Sequence, residues 1–233
     1  MTTPASAKPT MSYTINATTA APALSADWSA PAWSAAATAE LTNLRPESSD
    51  HRPRVAVRLL HDDLAIYGIY QVHDRYVRVV QEGYQVPVCT DSCVEFFFKP
   101  PVGPGYFNLE MNAGGAYLFT YVRNSRRCED GFVDFTKVAP EHGRMVQLRS
   151  TMPARVEPEI KTPVTWCIQF ALPFAALEPY CGPLAGHTGG GAAWTGNFFK
   201  CGDNTSHPHW LTWSPLPLLN YHLPALFAPI KLA

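Results

Sequence analysis

The chain is organised around one stretch, Pro87-Val-Cys-Thr-Asp-Ser-Cys-Val-Glu-Phe-Phe-Phe-Lys-Pro100. It opens with the polar residues of a turn and continues from Val94 as a β-strand, in which successive side chains point to opposite faces. One face is apolar and takes Val94, Phe96 and Phe98. The other face carries Glu95 in mid-strand, where a hydrophobic residue would be ordinary. The surroundings of this carboxylate are therefore the first question that the sequence raises.

The composition is that of one globular domain. The chain has 233 residues, of which 46% are hydrophobic, enough for a sizeable core. The formal net charge of -1 provides no basic surface for nucleic acid or for an anionic membrane. No apolar run approaches the roughly 18 residues that cross a bilayer. The first ten residues lack the order of a secretory signal, which leaves a cytoplasmic location, or an exported one if a signal was removed.

Short segments with a period of two residues follow one another along the chain and are separated by turn residues. The segments predicted as the main strands are 13–16, 54–60, 64–73, 94–99, 106–112, 116–122, 147–152, 164–172, 194–201 and 227–232. Residues 123–142 are charged and are predicted to form a loop. This spacing indicates an all-β fold, an antiparallel β-sandwich of the jelly-roll type with very little helix. Residues 1–12 are expected to be a flexible lead-in to a single domain over 13–233.

Four charged residues fall in the middle of apolar strands: Arg58, Glu95, Glu110 and Lys200. Because each alternates with hydrophobic residues, each should point away from the packed core. If these faces coincide, two cations and two carboxylates line one sheet surface, and Asn108, Asn112 and Gln169 could join them. Such a surface could bond the hydroxyls of a sugar or the carboxylate of an acidic one. It could equally be an ion-pair network on a solvated face.

Aromatic residues gather in the C-terminal loops, where Trp210, Trp213, Tyr221 and His222 occur within a short span. Aromatic rings stack on the C–H faces of sugars, while carboxylates and amides bond the hydroxyl groups. The combination favours carbohydrate binding, with Trp213, Tyr221 and His222 as the stacking wall. Each tryptophan by itself could equally be packed in the core.

Two other classes of function remain open from the residues alone. Glu95 and Glu110 could be the paired carboxyl groups of a glycoside hydrolase or lyase. Arg58 and Lys200, if close, would keep both carboxyl groups ionised and leave no acid, which argues against catalysis. A haem-binding redox domain would need axial ligands such as His73 or His222.

No cofactor or metal is predicted. The six cysteines contain no Cys-x-x-Cys pair. Cys167 and Cys201 fall within predicted strands, where small buried thiols are their expected role. A zinc site at Cys89 and Cys93 would need two further ligands. The residues Asp203, His207 and His209 are a weak indication of a metal site.

Four blocks of the sequence together resemble a known family. They are Arg54-Val-Ala-Val-Arg-Leu-Leu-His-Asp62, Asp91-Ser-Cys-Val-Glu-Phe-Phe97, Tyr106-Phe-Asn-Leu-Glu-Met-Asn112 and Gly196-Asn-Phe-Phe-Lys-Cys-Gly-Asp203. They are similar to the family 9 carbohydrate-binding modules, and most of all to the stand-alone branch of that family. The resemblance extends over residues 13–232, and its Asp-Ser-Cys-Val-Glu-Phe-Phe block is the most specific part.

The resemblance implies a β-sandwich that binds carbohydrate without turning it over. Family members carried by xylanases clamp a sugar, often the reducing end of a glycan, between two tryptophan rings. Those positions fall here near Val88 or Cys89 and near Tyr221, so the aromatic clamp is incomplete. The motif glutamate corresponds to Glu95, and a glutamine that bonds the sugar corresponds to Lys200. Some relatives hold a structural calcium ion, for which this sequence shows no clear acidic cage.

Overall fold

The computed structural model describes residues 11–129 and 131–233, so the first ten residues of the expected lead-in lie outside the described residues. The strands are β1 Tyr13–Ala17, β2 Thr38–Glu40, β3 Asn43–Leu44, β4 Arg54–His61, β5 Ala65–Asp74, β6 Val77–Val79, β7 Cys93–Lys99, β8 Tyr106–Asn112, β9 Tyr117–Cys128, β10 Gly131–Lys137, β11 Gln147–Ser150, β12 Val156–Ile160, β13 Val164–Pro173, β14 Ala192–Cys201, β15 Trp210–Thr212 and β16 Ala228–Leu232. The α-helical pieces are α1 Pro140–Gly143 and α2 Glu178–Cys181, and single 3-10 turns lie at Pro31–Ala35, Val88–Thr90, Phe174–Ala176 and Pro224–Leu226. Among these described elements, no helix is long and apolar enough to cross a membrane.

Two sheets pack face to face, and the predicted sandwich is confirmed. The front sheet has the order β10-β9-β8-β7-β14-β16, with β15 and β3 added beside β14. The back sheet has the order β4-β5-β13-β11, with β2 added beside β4. Strand β1 joins the two at one edge: its first half pairs in parallel with β16 and its second half in parallel with β4. The other pairings between the strands of these two sheets are antiparallel, as predicted.

The core between the sheets is formed by the apolar face of the opening stretch and its counterparts. Phe96 stacks on Phe198 from β14 at 5.1 Å and meets Phe170 of the back sheet at 6.3 Å between ring centroids. Each fully buried phenylalanine contributes about 1.5–3 kcal/mol to folding. Gly68 of β5 is needed for this packing, because a Cβ there would lie 2.2 Å from the Phe170 ring.

A second apolar cluster covers the outer face of the front sheet. Phe97, Phe199 and Tyr106 point outward from β7, β14 and β8, and the C-terminal loop lays Tyr221 and Phe227 over them. The Tyr221 ring stacks on Phe199 with 4.0 Å between centroids and 10° between planes. This loop covers only part of the face, so the polar residues beside the cluster line a cavity.

One prediction of an element was wrong. Residues 123–142 form the far end of β9, strand β10 and the short helix α1, where a loop was predicted. Strand β10 pairs with β9 in a hairpin at the edge of the front sheet, with Phe132 opposite Arg127 and Thr136 opposite Tyr121. The arginine-rich stretch Arg123–Arg127 obscured the alternation, because an exposed edge hairpin has no fully apolar face.

Candidate functional site

A cavity of about 660 Å³ lies on the outer face of the front sheet. Its floor comes from the middle of β7, β8 and the end of β14. The β9–β10 hairpin and residues 219–222 form one wall, and Asp203 with Trp210 forms the other. The volume falls within the range of about 300–1,000 Å³ that is typical of small-molecule sites. We call this cavity the front pocket.

Two glutamates form the floor of the front pocket. Glu95 on β7 and Glu110 on β8 are directly opposite each other in the antiparallel register, and their exposed fractions are 2% and 7%. Opposed side chains on neighbouring strands have Cβ atoms about 4.5–5.5 Å apart, so the two carboxyl groups influence each other. Neither forms an ion pair with a basic side chain among the described residues.

The surroundings of both glutamates favour the protonated form. Burial and the neighbouring Glu110 carboxylate raise the pKa of Glu95 well above its ordinary value. Burial also raises the pKa of Glu110, to about 7, against the opposing effect of the hydrogen bond from Asn108. A protonated carboxyl group has one O–H donor and still accepts hydrogen bonds. The floor can therefore bond a hydroxyl group in either direction.

Asn108 adds an acceptor without a partner. Its Nδ2 donates to Glu110 Oε1 at 2.7 Å, whereas its buried Oδ1 has no hydrogen-bond partner among the residues that the structure describes. The residue is 2% exposed and lines the front pocket. A buried acceptor left unpaired costs about 1–3 kcal/mol, so this oxygen marks a place for a donor from a ligand.

Aromatic side chains stand on both walls. The half-buried Trp210 is held by a hydrogen bond from Nε1 to Asp203 Oδ1 at 2.8 Å. Across the cavity, Phe132 meets His222 with 4.5 Å between ring centroids, and the Arg127 guanidinium lies 4.2 Å from the Phe132 ring centroid. Tyr221 completes the set of rings.

His222 is a neutral ring in this setting. Burial, with a smaller effect from Arg127, lowers the pKa of His222 to about 3. Its Nδ1 lies 2.7 Å from the Tyr106 hydroxyl. A neutral ring whose Nδ1 accepts the hydrogen bond from the Tyr106 hydroxyl carries its own proton on Nε2. The Nε2–H group is then its one hydrogen-bond donor. Arg127 and Lys137 supply exposed positive charge at the rim.

The structure brings together four of the predicted ligand residues. Glu95, Glu110, Tyr221 and His222 all line the front pocket. Glu95 and Glu110 meet because the alternation places both on the outer face of neighbouring strands, as the sequence predicted. Tyr221 and His222 arrive on the C-terminal loop, which the apolar cluster beneath it holds against the sheet.

Lys200 does not lie in the front pocket, and the prediction that it shares a face with the glutamates was wrong. It is opposite Val94 in the register and points into the sandwich, where its Nζ lies 3.5 Å from Asp74 Oδ2 and 2.6 Å from His209 Nε2. The rule that a charged strand residue points outward failed because Asp74, from the back sheet, compensates the buried charge.

Arg58 was also predicted on the shared face and lies elsewhere. It belongs to β4 of the back sheet, where its guanidinium covers the Trp28 ring at 4.2 Å and its Nε donates to Thr38 Oγ1 at 2.9 Å. Since neither Arg58 nor Lys200 lies beside the glutamates, the expectation that they keep Glu95 and Glu110 ionised was wrong as well.

Two further predicted ligand residues are built into the fold. Asn112 donates to Asp91 Oδ2 and to Gln81 O, both at 2.9 Å, and thereby fixes the turn before β7. Trp213 is buried in the core and packs against Phe198 at 5.3 Å. Both contacts bury these side chains away from the front pocket.

The sequence analysis did not propose the wall residues Arg127, Phe132, Phe135 and Lys137. They belong to the hairpin that was predicted as a loop. The Asp-Gly pair at 130–131, followed by alternating residues to Lys137, is a hairpin signal that could have revealed them. Asp203 had been considered only as a metal ligand, but it bonds Trp210 and lines the pocket.

Among the described residues, His51, Asp74 and His209 form one group whose metal-ligating atoms converge, and Cys93, Glu95 and Cys201 form another. Neither is the oxygen cage that calcium prefers. The proposed trio of Asp203, His207 and His209 does not converge, since the His207 ring stacks on Tyr76 at 3.6 Å. For haem, His73 lies on the back sheet in a hydrogen bond with Thr165, away from His222.

Comparison with known proteins agrees with the geometry. The family model described as carbohydrate-binding family 9 matches residues 33–232. The chain belongs to this family. Membership confirms carbohydrate binding without catalysis as the class of function, so hydrolysis or lysis by Glu95 and Glu110 is set aside. No curated protein matches the chain significantly.

Solved structures share the family 9 fold. A proposed carbohydrate-binding protein from Bacteroides uniformis is 27% identical, with a TM-score of 0.81 over 95% of this chain and 99% of that one. A family 9 module from Caldicellulosiruptor kristjanssonii in complex with cellotriose is 12% identical, with a TM-score of 0.59 over 95% of this chain and 93% of that one. The same organism's family 9 module in complex with glucose is 12% identical, with a TM-score of 0.61 over 94% and 95%.

Proposed function

We propose that the front pocket is the carbohydrate site of this family 9 protein and that it holds the end of a glycan. The observation that carries the proposal is the floor: two buried, opposed glutamates and the unpaired Asn108 Oδ1, beneath a ring of aromatic side chains. Sugar hydroxyls both donate and accept, which is what protonated carboxyl groups and an amide oxygen require.

In this proposal, Glu95, Glu110 and Asn108 bond hydroxyl groups at the floor. Trp210 and Tyr221 stack on the sugar faces, as aromatic rings do in carbohydrate sites. The resemblance places the family's tryptophans near Val88 or Cys89 and near Tyr221; of these residues, Cys89 and Tyr221 line the front pocket, which supports the same location. His222 and the β9–β10 hairpin close the second wall.

The front pocket favours a neutral sugar at its floor. The acidic groups Glu95, Glu110 and Asp203 surround that region, and the pKa of Asp203 is raised by burial. The pair of cations that had suggested an acidic ligand, Arg58 and Lys200, is not there. A negatively charged substituent would fit only at the rim, beside Arg127 and Lys137. Glucose and cellotriose, which the Caldicellulosiruptor modules bind, are the natural first probes.

The residues Arg58, Asn112, Lys200 and Trp213 are proposed to stabilise the fold and not to contact the sugar. Each makes its contacts away from the front pocket: Arg58 with Trp28, Asn112 with Asp91, Lys200 with Asp74 and Trp213 with Phe198.

A glycan array that includes glucose and cello-oligosaccharides, followed by thermal shift with each hit, tests this proposal. A ligand that binds only the folded state stabilises it by about 2.7 kcal/mol at a concentration 100 times its dissociation constant. We expect hits among neutral glycans with a free end, and a higher melting temperature with each. An array without any hit would contradict the proposed site.

A further inference from the structure

Two cysteines face each other beneath the front pocket. Cys93 at the start of β7 and Cys201 at the end of β14 are directly opposite in the antiparallel register, and both are buried. Glu95 lies two residues further along β7 and therefore on the same face. Cys201 Sγ lies 3.1 Å from Glu95 Oε1. The two sulfur atoms and a Glu95 carboxylate oxygen all lie within 4.8 Å of one another.

This group borders the front pocket, with exposed fractions of 2% for Glu95, 1% for Cys201 and 0% for Cys93. Glu95 and Cys201 line the front pocket, and Cys93 lies directly opposite Cys201 on the same face. An ion that enters the pocket meets Glu95 and Cys201 at its lining, and the Cys93 sulfur lies within 4.8 Å of their ligand atoms.

The second group of converging metal-ligating side chains differs from this one. In the group of His51, Asp74 and His209, the Lys200 ammonium already lies between ligands, 3.5 Å from Asp74 Oδ2 and 2.6 Å from His209 Nε2. A positive charge of the chain itself thus takes the place of an ion. Cys93, Glu95 and Cys201 have no such basic side chain in ion-pair contact among the described residues.

We propose that Cys93, Cys201 and Glu95 form a Zn²⁺ site whose fourth position opens into the front pocket. Two thiolates and one carboxylate are a ligand set that zinc takes, and three protein ligands with one open position are the pattern of an accessible zinc site. Zinc–sulfur distances of about 2.3 Å and zinc–oxygen distances of about 2.0–2.2 Å place tetrahedral ligand atoms roughly 3.5–3.8 Å apart, which the limit of 4.8 Å between these ligand atoms allows. Glu95 takes part in both proposals, so a bound ion and a sugar hydroxyl compete for its carboxyl group.

Binding of the ion displaces protons. Burial raises the pKa of the Cys93 thiol, and the hydrogen bond with Cys93 together with burial raises the pKa of the Cys201 thiol. Each thiol therefore transfers its proton to solvent as its sulfur–zinc bond forms. Glu95 also loses its proton on binding. The affinity for Zn²⁺ is therefore expected to rise steeply with pH.

The test is titration of the reduced protein with Co²⁺ under anaerobic conditions, followed by displacement with Zn²⁺. We expect a sulfur-to-cobalt charge-transfer band and visible bands of tetrahedral cobalt, both removed by one equivalent of Zn²⁺. The double variant Cys93→Ser, Cys201→Ser should bind at least a hundredfold more weakly. Cys167→Ser, which alters a buried thiol of the back sheet, is the matched control and should bind as the parent does.

Glu95→Gln keeps the shape of the side chain and is expected to weaken Co²⁺ binding at least tenfold, with an unchanged near-ultraviolet circular dichroism spectrum as the check on folding. The proposal is overturned if the parent protein shows no thiolate charge-transfer band. It is equally overturned if the double variant shows the same spectrum as the parent.

Discussion

Two buried polar groups lie on opposite faces of the front sheet, and they differ in one respect. On the core side of β14, Lys200 joins Asp74, His51 and His209 between the two sheets. On the outer side, Glu95 and Glu110 are as deeply buried but face the front pocket without an ion pair. Both groups are buried, but only the core-side group contains opposite charges that compensate each other.

The core-side group is complete. Burial opposes ionisation of Asp74, but Lys200 and the hydrogen bond from His51 outweigh it and hold the pKa of Asp74 well below its usual range. Burial and Lys200 lower the pKa of His209 to about 3, so its neutral ring accepts from Lys200 at Nε2 and donates from Nδ1 to His207 O at 2.8 Å. Every charge has its partner, so this group is a bridge between sheets.

The outer group is incomplete in the same sense. Among the described residues Asn108 Oδ1 lacks a hydrogen-bond partner, and burial raises the pKa values of Glu95 and Glu110, which no basic side chain offsets by an ion pair. A polar group that the fold leaves unsatisfied beside a cavity indicates a ligand, whereas an equally buried but satisfied group indicates structure. This difference can be tested by removing a charged partner on the core side or by changing the carboxyl groups on the outer side.

The largest effect is expected from Lys200→Met. Removal of the ammonium leaves the Asp74 carboxylate buried without its main partner, which costs about 3–5 kcal/mol of unfolding free energy. Urea unfolding followed by tryptophan fluorescence measures this loss. Lys231→Met, at an exposed position of β16, is the matched control and should change stability by less than about 0.5 kcal/mol. A loss below about 1 kcal/mol in Lys200→Met would show that the core-side bridge is not structural.

The next effect concerns the dependence of stability on pH. The pKa of Glu110 is about 7 in the folded state and 4.5 in its ordinary surroundings, so the folded chain binds more protons between these values. The unfolding free energy should therefore fall as pH rises from about 4.5 to 7, by about 3 kcal/mol from this group. Glu110→Gln should remove that fall.

The measurement is urea unfolding of the parent protein and Glu110→Gln at pH 5 and pH 8. The change in unfolding free energy between the two pH values is compared between the proteins, so that the contributions of other titrating groups such as His222 cancel. Glu82→Gln, which alters an exposed carboxyl group, is the control and should keep the parent's profile. Parallel profiles for the parent and Glu110→Gln would mean that Glu110 titrates normally.

A smaller effect is expected from Asn108→Ala. The substitution removes the unpaired acceptor and the donor to Glu110, so glycan affinity should fall about tenfold, or about 1.4 kcal/mol. Stability should change by no more than about 1 kcal/mol, because the lost hydrogen bond is offset by removal of a buried unsatisfied oxygen. Asn16→Ala, which removes a hydrogen bond to Ala35 O far from the pocket, should leave affinity unchanged. Equal affinities for all three proteins would remove Asn108 from the site.

The strands that frame the floor could be predicted because their alternation is strict. Val94 to Lys99 and Tyr106 to Asn112 have one unbroken apolar face each, and a single register places Glu95 opposite Glu110. The same rule failed at Lys200, because only the position of its partner shows that this charge is buried. Asp74 is distant in the sequence and stands at the end of a strand, where nothing local indicates that it meets Lys200.

The walls of the pocket could not be predicted for a different reason. They come from an edge hairpin whose outer residues are charged, so its period-2 pattern is weak around Arg127. The two ends of β15 place their aromatic residues differently: Trp210, its first residue, reaches the pocket, whereas Trp213, just after its last residue, packs in the core. The composition of the C-terminal loops predicts that aromatic rings bind a ligand, but only tertiary packing decides that Trp210 and not Trp213 lines the pocket.

The measurement that tests the central claim most directly is titration calorimetry of the parent protein and Trp210→Ala with the glycan that binds best on the array. Trp28→Ala, which removes a half-buried loop tryptophan that packs against Arg58 of the back sheet, serves as the matched control. If the front pocket is the carbohydrate site, Trp210→Ala binds at least tenfold more weakly, while Trp28→Ala keeps the affinity of the parent. If Trp210→Ala binds as the parent does, or if only Trp28→Ala loses affinity, the glycan is held on another surface and the account of the front pocket is wrong.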